Sequence, residues 1–267
     1  TVADMEPSPN GIDADDRLDA AEAALRRERR RTTDELEALR AFEDRVRSIS
    51  TEDRPSGSDR TLAVATAASR PTTALDAVRE AYESTVMSAP HYCEEYDDTY
   101  AESLAGEFSP DIAAALTDGT AFNDRCKRAT LSAVSTAQSN RKSLLEVVDR
   151  ERESVRRSRD ELCPLAEEHS EIRAVPFRER QFGALDAYRA RLGVIVGNCE
   201  EISDRRQDAI FDQRRIQRLP TEVPDVTVYF YQEIDADYPV VSLVAALSET
   251  AESIRERIER EMAFCHA

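Results

Sequence analysis

Leu185, Leu192 and Cys199 stand seven residues apart, and Tyr188, Ile195, Ile202, Ala209 and Ile216 form a second seven-residue series interleaved with the first. Two such series over four repeats commit the segment after Pro176 to a helix with a narrow apolar seam, because a seven-residue period returns to one helix face. Arg206 and Gln213 continue the first series as polar entries, and a polar seam residue sets register at a cost in stability. Gly193 and Gly197 lie inside this helix and weaken it by about 1 kcal/mol each relative to Ala.

The rest of the chain repeats the theme. Asp13 to Ser50 contains no Gly or Pro, and Leu18, Ala21, Leu25, Leu36, Leu39, Phe42, Val46 and Ile49 follow three-four spacing. That is one amphipathic helix of about 57 Å at about 1.5 Å per residue. A second long helix is expected from about Asn123 to Cys163, with Leu131, Val134, Leu144, Leu145, Val148, Val155 and Leu162 on its face and Pro164 ending or kinking it. The last helix runs from near Pro239 to about Phe264 on Val244, Leu247, Ala251, Ile254, Ile258 and Cys265. Only seven Gly occur in 267 residues, too few for sandwiches, barrels or phosphate-cradling α/β folds, which depend on glycine turns.

Shorter elements lie between. Thr73 caps a helix carrying Leu75, Val78, Tyr82 and Val86, and Pro90 ends it. A short helix is expected over 94–105. Ser109-Pro110-Asp111 is a start signal and Gly119 the matching stop. Residues 226–231 have strand-like composition but no second strand to pair with, and read as an irregular or short helical plug. The expected fold is therefore all-α: an elongated antiparallel helical bundle or coiled coil with a small acidic helical subdomain. Its parts are a disordered arm (1–12), a long helix (13–50), a linker (51–71), the acidic subdomain (72–122), a long helical hairpin (123–219), and an irregular segment plus C-terminal helix (220–267).

Lys and Arg total 36 against 54 Asp and Glu, a net charge of −18, and Lys127 and Lys142 are the only lysines. The acidity is concentrated: 72–126 holds 12 acidic residues against Arg79 and Arg125. Acid excess with almost no lysine fits a protein of a high-salt cytoplasm. At about 1 M salt the Debye length is only about 3 Å, so self-repulsion is screened while hydrated carboxylates keep the chain in solution. The acidity is thus read as solvent adaptation rather than as the mark of a basic partner. No segment approaches the roughly 18 apolar residues that span a membrane, and the N-terminus lacks the plan of a signal peptide. Five scattered cysteines read as reduced thiols of a cytoplasmic protein.

Motifs for chemistry are sparse. The pairs His91–Cys93, Cys163–His169 and Cys265–His266 lack the spacing that places two ligands on one ion, so no metal and no cofactor is expected. There is no Gly-rich phosphate loop and no GxSxG, and only three His could serve as bases; no catalytic residue is assigned. Arg26, Arg27, Arg29, Arg30 and Arg31 crowd one helix, followed by Asp34, Glu35 and Glu37. Such a face pairs with its acidic neighbours, and phosphate contacts weaken steeply with salt. The reading is a non-enzymatic cytoplasmic coiled-coil interaction or structural protein, binding a protein partner or a second copy through the helical seam. A regulatory or nucleic-acid-associated protein using the Arg-rich helix, and an enzyme with an unrecognised site, are the alternatives.

One stretch is not explained by helix propensity or by salt. Tyr82, Met87, His91, Tyr92, Glu94, Glu95 and Tyr96 crowd around Pro90 and form the candidate interaction surface. Tyrosine rings at a turn either pack on the bundle with their hydroxyls at its edge or anchor a partner. The string Thr85-Val86-Met87…Pro90-His91-Tyr92…Glu94-Glu95-Tyr96, with a second string Tyr231…Asp237-Tyr238-Pro239-Val240, resembles motifs of a family of uncharacterised haloarchaeal proteins, a domain of unknown function; Cys93 departs from the pattern. The resemblance implies a haloarchaeal origin and assigns no chemistry.

Folding is expected to need salt. Helical circular dichroism followed from about 1 M KCl down to about 0.1 M, where the Debye length rises from about 3 Å to about 10 Å, should show falling helicity and melting temperature. Unchanged curves would sink the high-salt reading.

Overall fold

The computed structural model describes residues 14–52, 73–92, 96–217 and 226–264. Among them there are eight α-helices, one short 3₁₀ turn (Phe177–Glu179) and no strand. The helices are α1 (Ala14–Ser48), α2 (Ala74–Glu83), α3 (Tyr100–Glu107), α4 (Pro110–Thr117), α5 (Asp124–Arg173), α6 (Phe182–Gln217), α7 (Val226–Tyr231) and α8 (Pro239–Phe264). The fold is an all-α helical bundle. The arm, most of the linker and Glu94, Glu95 and Cys265 fall outside the described residues. The chain divides into two compact units, one of Thr1–Glu28 with Val147–Ala267 and one of Arg29–Glu146. Helices α1 and α5 each contribute to both.

In the first unit, α6 and α8 pack along the heptad seam. Leu185, Leu192, Ile195, Cys199 and Ile202 are buried, as are Leu243, Leu247, Ala251, Ile254 and Ile258 opposite. The pair is antiparallel: Cys199 bonds Ser248 and Arg189 faces Glu259. The 3₁₀ turn ahead of α6 lies beside the end of α8, where Arg257 stacks over the Phe177 ring at 4.8 Å. The seam reads in the sequence as serving a protein partner or a second copy. Within the chain it packs against α8, which carries a complementary apolar stripe close enough in sequence to close on it. The side chain of Ile216 lies outside the described set.

Helix α5 runs antiparallel to α6, with Arg191 on Glu168 at 2.7 Å and Arg206 on Glu151 further along. It does not stop at Cys163: the helix continues through Pro164 to Arg173. Pro164 lies on the exposed face, so the Asp160 carbonyl that loses its bond faces water, which removes most of the cost of an interior proline. The first half of α1 docks on α5 through Arg159, which reaches Asp15 (3.0 Å), Asp19 (2.5 Å) and Glu22 (3.2 Å).

Arg206 and Gln213, the polar seam entries, meet a carboxylate. Glu151 has no exposed surface. It accepts from both terminal nitrogens of Arg206, from Gln213 Nε2 (3.2 Å) and from the Tyr231 hydroxyl (2.7 Å). Residues 226–231 are helical, as a plug, and Tyr231 is its buried inner end. Burial pushes the Tyr231 phenol well above its ordinary range, and the neighbouring carboxylate adds to the shift. The plug is also tied to α1 by Tyr229 on Glu28 (3.3 Å), and Glu233 just after it pairs with Arg27 (3.0 Å).

In the second unit, the cores of 72–122 and of the long helices are one. Phe42 and Val46 of α1, Val78 and Tyr82 of α2, Leu104 of α3, Leu116 of α4, Phe122 just ahead of α5 and Val134 within it form a single buried cluster. The acidic segment therefore closes its core only with α1 and α5. Capping boxes start α2 (Thr73 with Asp76) and α3 (Thr99 with Glu102), and Ser109 caps α4 ahead of Pro110. The helix expected over 94–105 begins at Tyr100, because the reciprocal bonds of Thr99 and Glu102 satisfy the start there. Gly119 ends α4 as expected: a Cβ there would lie 2.2 Å from the Ala115 carbonyl oxygen. Helices α1 and α5 are antiparallel, with Gln138 on Glu43 (2.9 Å) and Lys127 Nζ on the carbonyls of Arg47 (2.8 Å) and Ile49 (2.6 Å).

Arg206→Met should cost about 3–5 kcal/mol, because it leaves the Glu151 charge buried without its partner. Arg206→Met with Glu151→Leu should recover most of that loss. Urea denaturation of the two variants checks this, and a single variant as stable as wild type would show that Glu151 is not held by Arg206.

Candidate functional site

The candidate surface divides at the turn after α2. Tyr82 is fully buried, edge-on to Phe42 at 5.1 Å and to Tyr100 at 5.7 Å, and its hydroxyl pairs with Ser103 Oγ at 2.9 Å. Burial raises its phenol far above the ordinary value. Met87 is partly buried against the same cluster. These two are core residues. Tyr92 is 8% exposed, while Tyr96 is 48% exposed, and their rings lie 5.4 Å apart. Glu94 and Glu95 lie outside the described residues. Asp97 turns the chain toward the α3 cap with φ 45°, a left-handed conformation that Asp tolerates.

Tyr92, Tyr96 and His91 border a recess of about 280 Å³. Its floor is a chain of charge that spacing alone does not reveal. Arg141 of α5 donates from Nε to Glu35 Oε2 of α1 (2.8 Å) and from Nη2 to Glu107 Oε2 of α3 (2.7 Å). His91 Nε2 lies 3.3 Å from Glu35 Oε1, and the Tyr96 hydroxyl donates to the same oxygen at 3.5 Å. The side chains are mostly buried: His91 retains 11%, Glu107 15% and Arg141 24% of their exposure. Ala38, Leu39, Val86 and Ala89 form the apolar wall, and Asp98 stands at the border.

Electrostatically the recess is acid-rich. Among the described residues that line it, Glu35, Glu107 and Asp98 face one fixed cation, Arg141. Burial raises the Glu107 carboxyl above its ordinary value, and nearby Glu35 adds to the shift while Arg141 opposes it. Glu107 Oε1 is buried without a hydrogen-bond partner among the described residues.

Three of these residues were not singled out from the sequence. Arg141 lies seven residues after Val134 and seven before Val148, on the α5 stripe itself, and that placement is the signal available. A charged residue on an apolar stripe is buried against a partner or sits at a break in packing.

Cys163 bonds Asp15 at 3.3 Å, while His169 on the same helix is fully buried, so the two do not converge. Among the described residues no three His, Cys, Asp or Glu side chains group as metal ligands. The Arg-rich stretch of α1 is engaged: Arg26 pairs with Glu22, Arg27 with Glu233, and Arg29 and Arg31 also have partners. No helix among the described residues is long and apolar enough to cross a membrane.

Comparison with protein families matches residues 16–255 to a domain of unknown function, DUF7260. The chain belongs to this family. The DUF7260 match takes in all of α2 to α7, the whole of the second unit, most of the first, and every described residue of the recess. No curated protein and no solved structure matches the chain.

Removing the bridging cation should expose the pH dependence of the site. The folded Glu107 carboxyl holds its proton more tightly than the unfolded one, whose value is near 4.5. Its burial penalty is therefore absent below that value and grows as pH rises through the raised pKa. Arg141→Met should cost about 2 kcal/mol near neutral pH, less than a fully buried pair because the carboxylates keep some exposure. The loss should shrink on acidification to about pH 4.5, and Glu107→Gln in the same background should flatten the profile. Chemical denaturation at both pH values checks this.

Proposed function

We propose that the protein is a non-enzymatic interaction protein of the cytoplasm of a halophilic archaeon, a helical and partly coiled-coil scaffold that recognises its partner through the recess beside the tyrosine turn. One observation carries the reading: a single turn holds buried rings that anchor it and presents an exposed Tyr96 beside a charged recess. Turns fixed on a rigid scaffold are where recognition residues concentrate, and aromatic rings are favoured anchors. The apolar seam of α6 is consumed within the chain, so recognition falls to this turn and not to the seam.

A catalytic reading is less well supported. His91 is oriented by Glu35 as a base would be, but the serine lining the recess, Ser103, is engaged with the Tyr82 hydroxyl. A nucleic-acid reading is weakened by the acid-rich recess and by the paired arginines of α1. The acid excess and the near absence of lysine support the high-salt origin.

Affinity purification at molar salt tests the proposal, with wild type and Tyr96→Ala compared side by side. Tyr96 is half exposed, so its removal should leave the melting temperature nearly unchanged while the wild-type partner disappears. An identical set of proteins from both, or specific turnover of a small molecule lost in His91→Ala, would overturn it.

A further inference from the structure

The recess has a chemistry of its own, and the inference below rests on its being the recognition site. Its floor offers carboxylate oxygens and little cationic charge to balance them. Arg141 spends Nε and Nη2 on the Oε2 atoms of Glu35 and Glu107, which leaves Glu107 Oε1 buried and unpartnered among the described residues. A buried carboxylate oxygen without a donor is costly, and a charge-assisted donor there is among the stronger hydrogen bonds available. An anion would meet Glu35, Glu107 and Asp98; a cation meets them favourably. The walls fit the same occupant. Ala38, Leu39, Val86 and Ala89 supply an apolar side, and Tyr92 and Tyr96 supply ring faces near the opening. About 280 Å³ lies just under the roughly 300–1,000 Å³ of pockets for drug-sized ligands, so it has room for one group the size of an amino-acid side chain.

We propose that the recess binds a single guanidinium or ammonium group on a short apolar stem, with the cationic head among the carboxylates of Glu107, Glu35 and Asp98, the stem along the Leu39–Val86 wall and the tyrosine rings beside it. Arg141 already shows how a guanidinium is held between Glu35 and Glu107, and aromatic faces add cation–π attraction. The site tolerates brine because its carboxylates are largely withdrawn from solvent, where screening is weakest. Desolvation also raises the Glu107 carboxyl, and a bound cation should reverse that shift.

The chemistry has two sources, an arginine or lysine side chain of a partner protein and a free organic cation, and two probes distinguish them. Agmatine represents the free cation and an end-blocked Gly-Arg-Gly peptide the side chain. Binding is followed at molar KCl by changes in the Tyr92 and Tyr96 ring resonances, with citrate as the anionic control. Either probe should bind where citrate does not. Glu107→Gln should weaken binding by about tenfold, the loss of one charge-assisted hydrogen bond. Asp98→Asn, at the exposed border, provides a second variant and should weaken it less. Glu153→Gln, an exposed residue of the other unit, should leave binding unchanged.

Failure of both probes, or equal affinity in wild type and both recess variants, overturns the inference. Binding of agmatine alone sustains it while overturning the interaction reading, since the site then serves a small molecule. A partner that is lost with Tyr96→Ala but neither displaced by agmatine nor weakened by Glu107→Gln leaves the interaction reading standing and removes this one.

Discussion

Glu151 sits with no exposed surface in the middle of a 50-residue helix, and much of the first unit is arranged around its charge. An isolated carboxylate there would be expelled or protonated, because desolvation costs several kcal/mol per ion. Arg206 from α6, Gln213 one heptad later and the Tyr231 hydroxyl from α7 meet it together. Three helices are thus placed at one point with little freedom of register. Sliding α6 by a residue would leave the ion pair broken inside an apolar seam. A seam of Leu and Ile alone admits more than one alignment; a buried pair admits far fewer.

The second unit uses the same device less completely. Arg141 bridges Glu35 and Glu107, but the acids outnumber the cation, and the helices that carry them are separated by an aromatic cluster instead of a tight apolar interface. Phe42, Tyr82, Tyr100 and Phe108 stack edge-on and offset around one another. Their bulk props α2 and α3 against α1 and leaves the recess beside them. The buried rings of Tyr82 and Tyr92 pack at the turn after α2, and His91 and Tyr96 border the recess beside them. In one unit charge closes the core; in the other it lines an opening.

Arginine does nearly all of the cationic work. Its fork spans two carboxylates at once, as at Arg141, or both oxygens of one, as at Arg206, and at Arg159 it gathers three. A lysine ammonium is a compact, strongly hydrated charge and serves these bridging positions poorly. Lys127 is used where a point charge suffices, on the two carbonyls at the end of α1. The solvent-facing acids need no such partners, and the two populations of carboxylate, hydrated and bridged, are distinguished by position on the helix.

Much of the architecture was legible in the residues alone. Three-four spacing marked the buried faces of α1, α5, α6 and α8, because burying apolar surface leaves a helix few other choices, and Thr73, Ser109 and Gly119 marked helix ends through local bonds and sterics. Local chemistry did not decide how far α5 extends: Pro164 reads as an end or a kink, and its position on the exposed face lets the helix continue. Nor did it decide what packs on the α6 seam, since an apolar stripe does not name its partner; tertiary packing set α8 against it. The recess was half visible. His91, Tyr92 and Tyr96 stood out by composition, whereas Glu35, Glu107 and Arg141 come from three helices as far as 106 residues apart. Long-range charge pairing carries no periodicity along the chain. A stripe position occupied by Arg or Glu announces that a partner exists, and only the folded structure says which one.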